Sequence, residues 1–434
     1  MKLNRPLILF IPPVLLLLCL GLYFLPPIHD RLAWRIDNLR VEIIRFFRPP
    51  EGVLFTPQEQ VDEIVRATLT AYAPTLGAAD ALPSVPTPTA TAPQPGPTET
   101  PLPTSTPIPS SVALSGIRHE YQNFNNCGPA NLSMALSFWG WDGNQNTARA
   151  YLRPNYAVDD KNVNPFEMVD FVEQFTPYRA LWRVGGDLDL VKRIVAGGFP
   201  LLLELGLHPP GDSWLGHYRT FAGYDDARQH FIIYDSYQGV DRGYPVSYAE
   251  TEQYWRHFNN AYIVIFPAER EAELLAILGP FADPEYSFHY AAEHARAETE
   301  ALDGRAAYFA WFNLGSSLVQ LEDYPAAAAA FDTAFNLYAE LPPEQRPWRL
   351  LWYVDAPYAA YYHTGRYQDV LNLAQATLSN IDKPVLEETY YWRGMAKAAL
   401  GDTSGAIADL RRAYQLNPNS TPAGQALRDL GEIP

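Results

Sequence analysis

Cysteine is scarce in this chain of 434 residues, which contains only two. Two thiols exclude a disulfide-stabilised scaffold and a zinc site built from several thiolates. Cys19 lies inside an apolar run, so Cys127 is the single cysteine in the polar part of the sequence. Thiol chemistry in that part therefore depends on Cys127.

Basic residues are also few: 32 Lys and Arg face 49 Asp and Glu, a net charge of −17. This deficit argues against nucleic acid as a partner, because clustered cations are needed to replace phosphate counterions. The sequence has neither a glycine-rich phosphate loop nor a His-Glu-x-x-His motif, so we expect no cofactor and no metal. A hydrophobic content of 47% excludes a wholly disordered chain.

The one long apolar run is at the N-terminus, where residues 7–25 are almost wholly apolar and follow Lys2 and Arg5. At about 1.5 Å per residue, this run just spans a hydrocarbon core of about 30 Å. It predicts a transmembrane helix within a membrane anchor of residues 1–30. A cleaved signal peptide is the alternative, although no small-residue cleavage site follows the run.

Two segments connect this anchor to the rest of the chain. Residues 31–73 contain two short amphipathic patterns and form a juxtamembrane helical segment; residues 74–111 form a linker rich in Pro, Thr and Ser. Lys2 and Arg5 favour a cytoplasmic N-terminus, whereas the arginines that follow the apolar run favour the opposite orientation. Because linkers of this composition usually hold a domain away from a membrane, we expect a single-pass protein of the cell membrane with its bulk extracytoplasmic.

The first globular unit comprises residues 112–267, in which helical patterns come before strand-like runs. This order predicts an α+β fold. The predicted helices are 126–139, 165–175 and 188–196, and the predicted strands are 199–205, 217–224, 231–234 and 261–266.

Residues 268–434 are predicted to be all-α and contain an internal repeat. Small residues at fixed places let two helices cross closely, and a proline ends the second helix. The pattern resembles tetratricopeptide repeats, with a degenerate unit near Gly365 and a capping helix at 423–430, and implies a protein partner. The repeated positions are Trp311, Leu314, Gly315, Leu318, Tyr324, Ala327, Phe331, Ala334 and Pro342, then Gly394, Gly401, Ala406, Leu410, Ala413 and Pro418.

Cys127 lies where an asparagine-rich turn meets a predicted helix, in Asn125-Asn126-Cys127-Gly128-Pro129. Either asparagine is suited to cap the helix, and Pro129 suits its first turn. A thiol at a helix N-terminus lies at the positive end of the macrodipole, which lowers its pKa and favours the nucleophilic thiolate. The alternative is a buried cysteine that packs as a small hydrophobic residue.

A partner base is predicted from two strands that flank a polar turn beginning at Asp225. With the turn centred on Asp226, His217 lies directly opposite Asp235, about 5 Å away. A turn centred nearer Arg228 would shift that register. A carboxylate beside an imidazole is the second half of a Cys-His-Asp triad, and the alternative is a cross-strand ion pair on the surface.

Gln122 precedes the cysteine by five residues. Its side-chain amide and the backbone N–H of Cys127 could together form an oxyanion hole. The alternative is an ordinary solvent-exposed glutamine.

Together these motifs resemble the papain-like cysteine peptidases, and within them cysteine peptidase family 39, the double-glycine leader peptidases and their stand-alone relatives. The resemblance implies an α+β papain-like domain with Cys127 as nucleophile and His217 as general base and acid. It also implies Asp235 as the orienting carboxylate and Gln122 as the oxyanion donor. Asn126 departs from the exporter-fused members, which have an acidic residue there; without a transporter motif, leader-peptide specificity is not implied.

The sequence therefore predicts a membrane-anchored cysteine peptidase that hydrolyses peptide bonds and binds a protein partner through its repeats. Two alternatives stay open. One is a catalytically idle papain-like scaffold that binds peptides, and the other is a thiol amidase or acyltransferase that acts on cell-wall peptides.

Overall fold

The computed structural model describes residues 55–57, 108–155, 162–209, 214–238, 240, 242–379 and 385–434, with isolated helical positions at Gly21, Tyr23, Leu39 and Ile43. The predicted transmembrane helix, the juxtamembrane helices and most of the linker lie outside these residues. No helix within the described part of the chain combines the length and apolarity needed to cross a membrane.

One seven-stranded antiparallel sheet forms the centre of the first unit as described. Its main order is β2-β7-β3-β4-β5-β6, and β1 pairs with the far end of β4, beyond the residues that β3 covers. The strands are β1 Ser111–Ala113, β2 Tyr178–Arg183, β3 Leu201–Leu207, β4 Leu215–Asp225, β5 His230–Tyr234, β6 Tyr244–Ser247 and β7 Tyr262–Pro267.

Five helices accompany the sheet among the described residues, and the predicted α+β fold is confirmed. All three predicted helices and all four predicted strands are present, within two residues at each boundary. The sequence interpretation missed the helices Gln145–Leu152 and Tyr248–Trp255 and strands β1, β2 and β6. The helices are α1 Cys127–Phe138, α2 Gln145–Leu152, α3 Pro165–Phe175, α4 Leu188–Ala196 and α5 Tyr248–Trp255.

Apolar side chains cover both faces of the sheet, which explains why every residue of β3 is buried. On one face, Leu202 packs with Leu132 of α1 and Phe171 of α3. On the other face, Leu203 packs with Ile194 of α4. The helix that begins at Cys127 is therefore fixed against the sheet by its own apolar side chains.

The C-terminal part is helical, as predicted, apart from short turns and connections. Helices α8 and α9 pack together, as do α12 and α13, and α14 closes the array. The helices are α6 Glu271–Leu278, α7 Pro284–Ala301, α8 Gly304–Gln320, α9 Tyr324–Glu340, α10 Ala356–His363, α11 Tyr367–Ser379, α12 Glu387–Ala399, α13 Thr403–Leu416 and α14 Thr421–Asp429.

The repeat region packs directly on the first unit. Trp214 and Phe258, which flank the sheet, share a core cluster with Phe309 of α8. The amide of Asn313 donates to the backbone oxygen of Arg256 at 2.7 Å. Because this interface is a continuous apolar core with hydrogen bonds at its rim, the two parts are firmly joined.

Two glycines occupy equivalent places in the first and last helix pairs, where the sequence predicted close helix crossings. A Cβ added at Gly315 would lie 2.8 Å from the ring of Phe331, and one at Gly394 would lie 2.9 Å from Leu410. Both distances are shorter than real Cβ contacts allow. The two helices of each pair therefore pack so closely at the glycine that no side chain fits there.

Replacing Gly315 by alanine should therefore destabilise the protein by about 1–3 kcal/mol, because overpacking outweighs the helix propensity that alanine adds. Thermal unfolding of the full chain measures the change. The matched control is Ser316→Ala, which alters the next residue of α8 at a half-buried site. A Gly315→Ala protein that is more stable than wild type would contradict this account of the crossing.

Candidate active site

Cys127 is the first residue of α1, and its side chain is half-buried. The turn before it contains Asn125 in the left-handed region, with a φ of 49°. Of the two asparagines that the sequence offered as caps, Asn126 occupies the N-cap position, but its side chain makes no capping hydrogen bond. Asn126 is instead fully buried and donates to Gln145 Oε1 at 2.7 Å, so it ties the turn to α2.

The structure brings His217 and Asp235 together, although not in the predicted register. Strand β4 pairs Thr220 with Tyr234 and, beyond a bulge, Asp225 with His230, so the turn is centred nearer Arg228. Asp235 therefore follows the end of β5 instead of lying opposite His217. Its side chain still reaches back, and His217 Nε2 lies 2.9 Å from Asp235 Oδ1.

Asp235 is a fully buried carboxylate whose two oxygens are both occupied. Besides His217, Oδ1 accepts from the backbone N–H groups of Tyr237 at 2.7 Å and Gln238 at 3.1 Å. Oδ2 accepts from Arg219 Nε at 2.8 Å and from the Tyr244 hydroxyl at 3.2 Å. Burial alone would raise the pKa of Asp235, but the charges and hydrogen bonds of His217 and Arg219 hold it far below its usual range.

The imidazole of His217 also forms a hydrogen bond with Cys127. Because Nε2 is directed at Asp235, Nδ1 is the ring nitrogen left for the thiol. Burial opposes ionisation of both groups. For Cys127 the opposition is overcome by the hydrogen bond and charge of His217 and by the backbone N–H groups of Tyr218 and Gly128, and the pKa of the thiol is lowered.

The same contacts act in the opposite direction on the imidazole. Burial lowers the pKa of His217, but the charge and hydrogen bond of Asp235, followed by those of Cys127, raise it to about 9. A lowered thiol pKa beside a raised imidazole pKa favours a thiolate–imidazolium pair at neutral pH. That pair is the activated form of a cysteine nucleophile.

Gln122 is also close to this site, and it is 7% exposed rather than a solvated residue. Its backbone N–H donates to the carbonyl of Ser236 at 2.9 Å, and its Oε1 accepts from the Ser236 hydroxyl at 2.8 Å. Because Oε1 accepts this hydrogen bond, the amide orientation of Gln122 is set, and Nε2 is the atom that can donate to a substrate. An amide nitrogen fixed in this manner suits the stabilisation of an oxyanion.

A chain of hydrogen bonds connects Gln122 to the helix that carries the thiol. Asn131 Nδ2 on α1 lies 2.9 Å from Ser236 Oγ and 3.0 Å from the carbonyl oxygen of Cys127. The Thr220 hydroxyl on β4 donates to Asn131 at 3.2 Å. Helix, sheet and the segment before the helix are thus joined by four buried polar side chains.

The sequence interpretation missed Arg219, Asn131 and Ser236. Arg219 lies two residues after His217 in a largely apolar strand, so the two side chains share one face of the sheet. A cation buried on that face needs a carboxylate partner, and this signal could have been recognised. Asn131 and Ser236 carried no such signal, because their contacts depend on how α1 packs on the sheet.

Glu204 is a second buried carboxyl group near the thiol. It pairs with Tyr218 across β3 and β4 and forms a hydrogen bond with that side chain. Burial raises the pKa of Glu204 to about 8, the hydrogen bond with Tyr218 lowers it, and the charge of Cys127 raises it. The Tyr218 hydroxyl also donates to the Val163 carbonyl at 3.0 Å.

Glu204 should make the stability of the protein depend on pH. Its pKa is higher in the folded state than the ordinary 4.5, so its stabilising contribution is complete below pH 4.5 and is lost as pH rises through about 8. The free energy of unfolding of wild type should therefore be roughly 3–5 kcal/mol lower above pH 8 than below pH 4.5. We expect Glu204→Gln not to show this loss.

Melting temperatures from pH 5 to 9 measure this effect, and Glu252→Gln on the exposed side of α5 is the matched control. Parallel curves for wild type and Glu204→Gln would show that Glu204 does not change its protonation on folding.

Comparisons with known proteins match family models to two parts of the chain. The model of the Peptidase_C39 like family matches residues 114–263, and the tetratricopeptide repeat model matches residues 387–420. No curated protein matches the chain.

Solved structures that resemble the chain include a C39-like peptidase of Bacillus anthracis, with 16% identity and a TM-score of 0.31 over 36% of this chain and 96% of that one. Another is the peptidase domain of Streptococcus ComA, a bifunctional ABC transporter involved in quorum sensing. It is 14% identical, with a TM-score of 0.27 over 35% of this chain and 99% of that one. The resemblance predicted from the sequence is thus confirmed by the family models, for a C39-like peptidase domain followed by a tetratricopeptide repeat.

Proposed function

We propose that the first unit is an active cysteine peptidase with Cys127 as its nucleophile. The observation that carries the proposal is the continuous hydrogen-bonded series from Cys127 through His217 to Asp235. In this series the imidazole contacts sulfur on one side and a buried carboxylate on the other, as nucleophilic catalysis requires.

In the proposed reaction, the Cys127 thiolate attacks the carbonyl carbon of a peptide bond and forms a thioester as the amine leaves. The His217 imidazolium gives its proton to the leaving amine, and neutral His217 then takes a proton from the water that hydrolyses the thioester. Gln122 Nε2 and the backbone N–H of Cys127 would hold the oxyanion in both steps. Asp235 keeps the ring oriented and stabilises its charged form.

The repeat region contributes to the surroundings of the thiol. Gly216, the neighbour of His217, lies so close to Tyr353 that an added Cβ would be 2.8 Å from that ring. On the helix side, Asn164 Nδ2 donates to Glu388 Oε1 at 2.7 Å, and the adjacent Val163 contacts Gly128. We therefore propose that a peptide or protein substrate contacts both the peptidase unit and the repeats.

We also propose that residues 7–25 anchor the protein in the cell membrane, with the bulk of the chain extracytoplasmic. The support is the apolar run itself and the linker composition.

Cleavage of fluorogenic peptides by the purified full chain tests the peptidase proposal. Cys127→Ala should abolish turnover, and His217→Ala should reduce it to a similar level because the two groups act as a unit. Gln122→Ala should lower kcat about 10²-fold or more, since it removes an oxyanion donor.

The matched control is His230→Ala, which removes a histidine that lies opposite Asp225 in the same hairpin but far from the thiol. This variant should cleave at the wild-type rate. Equal turnover by wild type and Cys127→Ala would exclude Cys127 as the nucleophile. A folded wild type that binds peptides but cleaves none would favour the idle scaffold, and release of ammonia or acyl exchange instead of cleavage would favour the amidase or acyltransferase.

A further inference from the structure

A short piece of the N-terminal region lies inside the repeat domain. Phe55 is only 6% exposed and belongs to the same apolar cluster as the repeat helices. Its ring meets that of Phe335 on α9 edge-to-face, with centroids 5.0 Å apart, and that of Tyr361 on α10 at 5.9 Å. Phe55 therefore lies between the second helix of one repeat and the first helix of the next.

The site that receives Phe55 is held by polar contacts beneath it. The Tyr361 hydroxyl donates to Asp332 Oδ1 at 2.9 Å. Arg366 donates to both oxygens of Asp332 and lies over the Tyr361 ring, with its Cζ 4.3 Å from the centroid. The ring of Tyr361 is therefore held in place by contacts that do not involve Phe55.

Further apolar side chains line a pocket beside Phe55. They come from α8, α9 and the connection between α9 and α10, and they include Tyr308, Phe335, Tyr338, Trp348, Leu350 and Leu351. An aromatic ligand side chain therefore has rings and aliphatic groups on several sides.

The segment around Phe55 has the burial pattern of an extended peptide. Phe55 and Pro57 are buried, whereas Thr56 between them is exposed. In an extended chain, residues i and i+2 point to the same side, so this burial pattern fits an extended segment with Phe55 and Pro57 on its buried side.

The other end of the intervening segment is also fixed to the molecule. Ile108 packs against the core of the first unit, and the Tyr224 hydroxyl donates to the Pro109 carbonyl at 2.6 Å. Strand β1 then pairs with β4. Phe55 is thus fixed on the repeat domain, and Ile108 is fixed on the sheet unit of the same chain.

We propose that the repeat domain contains a binding site for an aromatic side chain in an extended segment, and that Phe55 with Pro57 of this chain is its ligand. Because Phe55 packs on the repeat domain and Ile108 on the first unit, the distance from residue 55 to the catalytic unit is set by these contacts. Loop closure by a long segment costs little more than by a short one, and the tether keeps the ligand at high effective concentration. With the membrane anchor proposed above, the catalytic unit would be held near the membrane.

Distance measurement between two spin labels in the full-length protein tests this docking. Labels are placed on cysteines introduced at Thr56 and Gln368, both exposed, in a chain whose Cys19 and Cys127 are replaced by serine. The expected result is a single narrow distance distribution. Phe55→Ala should abolish the narrow peak, whereas Phe55→Leu should retain part of it.

The matched control is Leu39→Ala, which removes another apolar side chain of the juxtamembrane segment that is 56% exposed. It should leave the distribution unchanged, and circular dichroism verifies that every variant keeps its helices. A broad distribution in the chain with Phe55 intact would overturn the proposal and favour an occupant from another protein. A narrow peak that survives in Phe55→Ala would show that Phe55 is not the residue that docks the segment.

Discussion

The buried carboxylate of Asp235 is the constraint on which the rest of the site depends. An ionised carboxylate without exposure to water is costly unless its oxygens are satisfied by donors and its charge is balanced. Here four residues besides His217 donate to it, and Arg219 supplies a positive charge. Because these donors stabilise the negative charge, Asp235 can hold the imidazole of His217 in one orientation and favour its protonated form. The activation of Cys127 follows from that orientation.

The fold brings the members of this series together from three separate parts of the chain. Apolar contacts pack α1 on the sheet, and the bonds among Gln122, Asn131, Thr220 and Ser236 fix the helix start relative to the end of β5. The repeat region then covers the neighbouring surface, with Tyr353 against Gly216. Protein substrate binding and catalysis are therefore proposed to share one continuous surface, and a substrate must fit both parts.

Much of this arrangement could be predicted from the sequence, because periodicity and turn residues encode it locally. The helix of Cys127, the hairpin of His217 and the crossing at Gly315 all follow from such patterns. The hairpin register could not be fixed, since a bulge near Phe221 and the position of the turn depend on tertiary packing. Strand β2 was missed because it is short, its residues show no regular alternation, and it interrupts a run of helices.

Other features have no local signal at all. The burial of Asn126 against Gln145, the role of Ser236 and the docking of Phe55 arise between segments distant in sequence.

The pH dependence of Cys127 alkylation by iodoacetamide tests the central claim most directly, with peptide mapping to separate Cys127 from Cys19. A thiol without partners loses reactivity below its pKa of about 8.5. The contact with His217 predicts that Cys127 in the folded protein labels well below that pH, and that His217→Ala shifts the profile up to that of an ordinary thiol. Labelling of wild type that begins only near pH 8.5, or only after denaturation, would contradict the account.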